Sequence, residues 1–138
     1  MSRSEEMVRK DVVLMYDDIK QNIAIMQAFT EKLHKEGATS NVRAMLQALR
    51  EKLETTNKNL GICAKNLRIS EKTLSSEGYA LQKALAQVIP LYSMVLSNFP
   101  AVAATLGYGR RKDVEFVFNN EYIPKIKEAK NILHPFKH

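Results

Sequence analysis

The strongest constraint on the fold is a run of apolar positions between residues 42 and 67. Its members alternate four and three residues apart and are Val42, Leu46, Leu49, Leu53, Thr56, Leu60, Cys63 and Leu67. This alternation follows one face of an α-helix and is typical of helices that pack side by side at a shallow angle. Thr56 is the one polar position in this apolar seam. We therefore predict a long helix that packs against neighbouring helices along its whole length.

Similar helices are predicted on both sides of the seam. The inner face of the preceding helix is predicted at Val8, Val12, Met15, Ile19, Ile23, Met26, either Phe29 or Thr30, and Leu33. Gly37 can end this helix in a left-handed conformation, and one of residues 39–41 can cap the next. A third helix is expected over about 76–97. Pro90 lies within it and should kink it, because proline lacks the backbone donor.

The last third of the chain contains most of the helix breaks. Residues 98–100 are expected to cap a short helix over 101–106, and 107–112 form the most loop-like stretch. Asp113 can then cap a final helix, interrupted near 119–124. With five Gly, four Pro and hardly any strand pattern, we predict an all-α, up-and-down bundle of four to five helices. It forms a single domain over residues 1–138, with a Pro-kinked central apolar helix.

Residues 84–109 contain no charged side chain. The stretch is long enough to cross a bilayer, but its prolines and polar residues argue against a membrane span. The favoured interpretation is the buried central element of the bundle, and the alternatives are a partner-binding groove and a membrane-inserting hairpin sheathed by the amphipathic helices. The candidate partner-binding residues are Tyr92, Val95, Leu96, Phe99, Tyr108, Arg110 and Arg111, since Tyr and Arg are favoured at interface hot spots.

The net charge of +6 favours acidic partners without requiring them. Five basic residues recur every seven or eight positions, which keeps them on one side of a helix: Arg43, Arg50, Lys58, Lys65 and Lys72. We call this set the basic ridge. Lys112, beside Arg110 and Arg111, can join it if the loop folds back. Such a ridge can contact phosphates of a nucleic acid or another anionic group.

Catalytic and metal-binding patterns are absent from the sequence. Asp11 and Asp18 are interpreted as a solvated acidic face that meets the basic ridge. The three histidines, His34, His134 and His138, form no recurring metal motif. Cys63, the single cysteine, has no activating neighbour and is interpreted as a buried thiol in a reducing compartment. We therefore expect no enzyme activity, no metal and no cofactor, and a cytoplasmic or nuclear location.

The sequence thus favours a non-enzymatic protein–protein interaction domain: an adaptor, an assembly subunit or a regulatory bundle. The expected partner is a helix or helical bundle of another protein, or a second copy of the chain. The alternative is binding of nucleic acid or an anionic phosphate through the basic ridge and the 110–112 cluster.

Overall fold

The structure is a computed structural model that describes residues 3–137. It contains five α-helices: α1 (Arg3–Glu36), α2 (Ser40–Ile69), α3 (Ser76–Gly107), α4 (Arg111–Val117) and α5 (Ile123–Leu133). A π-helical turn, Phe118–Tyr122, joins α4 and α5 into one continuous helix. Short 3-10 turns occupy Glu71–Thr73 and His134–Phe136. Over the described range there is no β-strand.

The helices form a closed four-membered ring. α1 packs on α2, α2 on α3, α3 on α5, and α5 on α1. Because consecutive helices are joined by short connections, neighbours in the ring run antiparallel. The predicted all-α helical bundle is confirmed.

Both apolar faces predicted for the first two helices lie in the core. All eight positions of the apolar seam on α2 are buried, including Thr56. All eight apolar positions predicted on α1 are buried as well. The spacing of apolar residues therefore identified the inner faces of the two longest amphipathic helices correctly.

The connections follow the expected local chemistry. Gly37 adopts a left-handed φ of 76° after α1, which a side chain would disfavour. The Thr39 hydroxyl accepts a hydrogen bond from the Val42 amide at 3.2 Å and caps α2. The Ser75 hydroxyl accepts one from the Gly78 amide at 3.1 Å and caps α3. These polar contacts satisfy amide groups that a helix start leaves without intrahelical partners.

A buried carboxylate locks the start of α3 to α1. Glu5 is fully buried and accepts hydrogen bonds from the amide and the hydroxyl of Ser75, at 2.7 and 2.6 Å. Burial raises the pKa of Glu5, but the hydrogen bonds from Ser75 outweigh it, so the pKa lies below its usual value. Gly78 leaves room for this carboxylate, since a Cβ there would lie 2.8 Å from its carboxyl carbon.

α3 departs from the sequence prediction. A separate helix over 101–106 was expected, but α3 continues without a break through both Pro90 and Pro100. Both prolines are exposed on its outer side, where water can bond to the carbonyl groups they leave unpaired. α3 therefore buries one face in the bundle and leaves the opposite face open, instead of being enclosed on all sides.

The start of the last helix also differs from expectation. α4 begins at Arg111, and Asp113 does not cap it but pairs with Arg110 at 2.9 Å. Gly109 makes the turn with a left-handed φ of 77°. The predicted interruption near 119–124 is confirmed as the π-helical turn, an irregularity that often accommodates an extra residue within a helix.

Candidate functional site

The groove predicted on α3 is closed. Tyr92, Val95 and Phe99 are buried in the core, and Leu96 is half-buried. The Phe99 ring stacks on Tyr122 of the π-helical turn at a centroid distance of 5.6 Å. The expectation of an open partner groove at these side chains is wrong, because α2 and the last helix pack over them.

Tyr92 instead belongs to a buried polar cluster that joins three helices. The Asn22 amide of α1 donates to the Tyr92 hydroxyl at 2.8 Å and to the Thr56 hydroxyl of α2 at 3.0 Å. Thr56 in turn donates to the Lys52 carbonyl at 3.1 Å. Burial raises the pKa of Tyr92 well above its usual range. The hydrogen bond from Asn22 lowers this pKa in part, and the negative charge of Asp18 raises it further. This cluster explains the polar position in the apolar seam.

The loop predicted to bind a partner is divided between surface and structural roles. Tyr108 is 84% exposed, and the Arg110 side chain is largely exposed beside Asp113. Arg111 donates from Nη1 to the His34 carbonyl at 3.1 Å, which caps the end of α1. Glu115, one turn later, contacts the His34 ring at 3.1 Å. Arg111 is thus used to dock α4 on α1.

Three members of the basic ridge, Arg43, Lys58 and Lys65, lie exposed on α2. Arg50 is half-buried and pairs with Glu54 at 3.0 Å. The ridge borders α3, because Arg43 and Arg50 line a cavity of about 130 Å³ with Ala103 and its neighbours Phe99 and Leu106. Arg43 and Arg50 therefore lie beside α3, and among the described residues no member of the ridge forms a salt bridge with Asp11 or Asp18.

Lys72, the last member of the basic ridge, and Lys112 lie apart from the other four ridge residues. α2 ends at Ile69, so Lys72 stands in the following 3-10 turn and leaves the helical repeat. There it lines a shallow cavity of about 210 Å³ with Arg68. Lys112 lies exposed at the other end of α3, in a shallow cavity of about 340 Å³ with Arg110 and Arg111.

A surface that the sequence prediction missed lies on the outer side of α1 and α2. Four large apolar side chains are exposed there: Met7 by 59%, Leu14 by 60%, Ile62 by 46% and Ile69 by 73%. On each helix the two residues are seven positions apart and therefore lie on the same side, about 10 Å from each other. We call this set the α1/α2 apolar face.

Hydrogen bonds between α1 and α2 fix the register of the two helices, and with it the positions of these side chains along the helix axes. Lys52 of α2 donates to Gln21 of α1 at 3.2 Å, and Asn22 reaches Thr56 at 3.0 Å. In an antiparallel pair, moving towards the start of α1 means moving towards the end of α2. By this register Leu14 lies level with Ile62 and Met7 with Ile69, which sets the four side chains on the same side of the helix pair.

Two carboxylates lie within this patch. Burial is the main cause that raises the pKa of the Cys63 thiol to about 11, and the charge of Asp11 adds to the increase. Asp18 acts in the same way on Tyr92. Asp11 is exposed and Asp18 is half-buried. Among residues 3–137, no cation lies within 4 Å of either carboxylate.

The outer face of α3 is uncharged along its central turns, where Ser93, Met94, Ser97, Asn98, Ala101 and Ala104 are exposed. By length and composition α3 could cross a membrane, and 28% of its most apolar window is buried. One such helix is weak evidence, since a helix of a soluble bundle passes the same test. Apart from Met94, these exposed residues carry small or polar side chains.

The titratable side chains form no metal centre in the described part of the chain. No group of three or more His, Cys, Asp or Glu residues there has a metal-binding arrangement. His34 contacts Glu115, His134 packs edge-on against Tyr16 at 5.9 Å, and His138 lies outside the described residues. Comparison with models of known protein families, with curated proteins and with solved structures finds no match to this chain.

Proposed function

We propose that this chain is a non-enzymatic protein–protein interaction domain, an adaptor, assembly subunit or regulatory bundle, that docks a partner on the α1/α2 apolar face. One observation carries the proposal: Met7, Leu14, Ile62 and Ile69 are 46–73% exposed, and the register of α1 and α2 sets them on the same side of the helix pair. Fully burying such a side chain contributes roughly 1.5–3 kcal/mol. Clustered exposed apolar side chains mark interaction sites more often than isolated ones do.

The shape of the face favours a helical partner. Two antiparallel helices leave a shallow groove between them, and the exposed side chains repeat at seven-residue intervals on both sides of it. A helix with apolar residues at intervals of three and four places its own side chains at the same heights. The adaptor would then extend its four-helix bundle by a fifth helix supplied by the partner.

Reconstituted binding tests the proposal. The tagged chain is used to recover binding proteins from an extract of its source cells, and each recovered protein is purified and titrated against three forms of the chain. These are the wild type, the double variant Leu14→Ser/Ile62→Ser and the control Met94→Ser, which removes an exposed apolar side chain from α3. We expect at least tenfold weaker binding for the double variant and less than twofold change for the control. Equal binding of the wild type and the double variant would exclude the face.

A second candidate function is binding of an anionic phosphate, such as the backbone of a nucleic acid, by the basic ridge. Arg43, Lys58 and Lys65 are exposed along α2, and no acidic side chain within the described residues forms a salt bridge with them. Such clustered cations are the usual means of phosphate contact.

Salt dependence distinguishes this second function. If three phosphates are contacted, affinity for a labelled single-stranded oligonucleotide falls about 20-fold between 50 and 200 mM salt. The variant Arg43→Ala/Lys58→Ala/Lys65→Ala should lose most of this dependence. Absence of binding at 50 mM salt would remove this candidate.

A further inference from the structure

We infer that the cavity between α2 and α3 binds a small carboxylate whose apolar group is no larger than a phenyl ring. The cavity has a volume of about 130 Å³, and its walls include Arg43, Leu46 and Arg50 of α2 and Phe99, Ala103 and Leu106 of α3. We call it the α2/α3 cavity. It shares no residue with the α1/α2 apolar face, so the inference does not rest on the proposed function.

The inner wall of the α2/α3 cavity is apolar. Leu46, Phe99 and Leu106 are buried in the core, and the Phe99 ring is held in place by its stacking on Tyr122. Ala103 is exposed, and its small side chain leaves open the space that a larger one would fill. An apolar cavity of about 150 Å³ accepts a benzene ring. The α2/α3 cavity is therefore suited to an apolar group of at most this size.

Two guanidinium groups with unused donors lie on the α2 wall. Arg43 is exposed and forms no hydrogen bond or salt bridge in the described part of the chain. Arg50 pairs with Glu54 through Nε at 3.0 Å, and its Nη1 and Nη2 groups make no hydrogen bond among residues 3–137. A guanidinium can hold a carboxylate by two parallel N–H···O bonds. Both arginines therefore have donors to offer to an anionic ligand.

The segments that form the two walls contain no acidic residue. α2 has none in its first turn, where the helix dipole favours negative charge, and its first acidic residue is Glu51. The other wall belongs to the uncharged stretch 84–109. Glu51 and Glu54 do not line the cavity, although Glu54 pairs with one of the two arginines. An anion is therefore the charge type that these walls favour.

A ligand with only one of the two properties would use half of the cavity. An uncharged ring covers the apolar wall but leaves the guanidinium groups without a partner, whereas an inorganic anion leaves the wall exposed to water. A carboxylate joined to a small ring or short acyl group satisfies both walls. Such small sites combine an apolar lining with a few placed polar groups.

Fluorine NMR titration of the full-length protein with 4-fluorobenzoate tests the inference. Two further probes each lack one half of the ligand. 4-Fluorobenzamide has the ring without the charge, and fluoroacetate has the charge without the ring. N-acetyl-glycyl-phenylalanine, which has a free carboxylate, shows by tighter or weaker binding than 4-fluorobenzoate whether the ligand is a chain end or a free acid.

Two variants alter the α2/α3 cavity, and each has a matched control. Arg43→Gln/Arg50→Gln removes the cations, and its control Lys58→Gln/Lys65→Gln removes two exposed cations of α2 outside the cavity. Ala103→Leu fills the space. Its control Ala104→Leu adds the same side chain at the next position, which is exposed and does not line the cavity. Thermal unfolding verifies that every variant is folded.

We expect saturable binding of 4-fluorobenzoate to the wild type with a Kd of about 1 mM, since a ligand of this size has few atoms to contribute. Binding of 4-fluorobenzamide and of fluoroacetate should be at least tenfold weaker. Arg43→Gln/Arg50→Gln and Ala103→Leu should each weaken binding of 4-fluorobenzoate at least tenfold, and the two controls less than twofold.

Four outcomes would overturn the inference. Equal affinity for 4-fluorobenzoate and 4-fluorobenzamide would show that the charge is not recognised. Equal binding by the wild type and Ala103→Leu would place the ligand outside the cavity. An equal loss in Lys58→Gln/Lys65→Gln and Arg43→Gln/Arg50→Gln would reduce binding to general attraction by a basic protein. Absence of saturation at about 20 mM 4-fluorobenzoate, far above the expected Kd, would exclude the site.

Discussion

The Asn22 side chain of α1 donates a 2.8 Å hydrogen bond to the Tyr92 hydroxyl of α3, in a layer of the core where both residues are fully buried. The same amide reaches Thr56 of α2, so one polar group fixes the register of three helices. A buried polar contact of this kind constrains how the helices pair, and removing one partner leaves the other buried and unsatisfied. Asn22 Oδ1 has no partner among the described residues, which makes the cluster incompletely satisfied.

Loss of the Tyr92 hydroxyl should therefore destabilise the bundle. Tyr92→Phe leaves a buried amide donor of Asn22 unpaired, and we expect the free energy of unfolding to fall by about 1–3 kcal/mol. Tyr122→Phe is the comparison variant, because no hydrogen bond of good geometry reaches the buried Tyr122 hydroxyl among residues 3–137 and only the Asn98 side chain lies near it. Its removal should change stability little. Urea unfolding of both variants measures the difference, and equal effects would show that the cluster contributes nothing specific.

Gly78 should not tolerate a side chain. A Cβ at position 78 would collide with the Glu5 carboxyl group, so we expect Gly78→Ala to destabilise the protein by about 1–3 kcal/mol. Gly61 in α2 is the control, since nothing lies within 4 Å of its added Cβ. Gly61→Ala should stabilise the helix by about 0.5–1 kcal/mol. Thermal and urea unfolding would contradict this account if both substitutions shifted stability in the same direction.

Glu5 should make stability sensitive to acid. Its pKa in the folded chain lies below the ordinary value of 4.5, so ionised Glu5 stabilises the folded state. This contribution is fully present above the ordinary pKa and is lost as the pH falls through the lower pKa of the folded state. Glu5→Gln should therefore lose more stability at pH 6 than at pH 3. Parallel stability curves for the wild type and Glu5→Gln across this range would contradict the assignment.

Cys63 should react slowly in the folded protein. Burial, assisted by the charge of Asp11, raises its pKa to about 11, so the nucleophilic thiolate is scarce at pH 8. An aromatic disulfide reagent should modify Cys63 at pH 8 orders of magnitude more slowly in buffer than in 6 M urea. Comparable rates in the two conditions would show that the thiol is accessible.

The sequence predicted the interior better than the surface. The spacing of apolar residues identified every buried position of the α2 seam. The face of a helix that packs against other helices is apolar, and this is what makes apolar residues recur every three or four positions. The sequence prediction missed the continuity of α3 through Pro100. Proline lacks a backbone donor, which predicts a break in the helix. In the structure Pro100 is exposed, so water can bond to the carbonyl group that it leaves unpaired. Tyr92 and Phe99 were assigned to a partner because an uncharged segment does not reveal which of its sides faces the core.

The α1/α2 apolar face was missed for a related reason. Met7 and Leu14 repeat at seven residues just outside the predicted inner face of α1, and Ile62 and Ile69 do the same on α2. Taken alone, each pair is only two exposed apolar residues on one helix, which is common on protein surfaces. They become one patch only when the antiparallel register sets Leu14 level with Ile62, and that register depends on tertiary contacts such as Lys52 with Gln21.

Site-specific photocrosslinking tests the central claim most directly. A benzophenone amino acid is placed at Leu14 in one form of the chain and at Met94 in another, and both are expressed in the source cells and irradiated. We predict a discrete covalent adduct with another protein from position 14 and none from position 94. Adducts from position 94 alone, or none from position 14, would contradict the assignment of the α1/α2 apolar face as the docking surface.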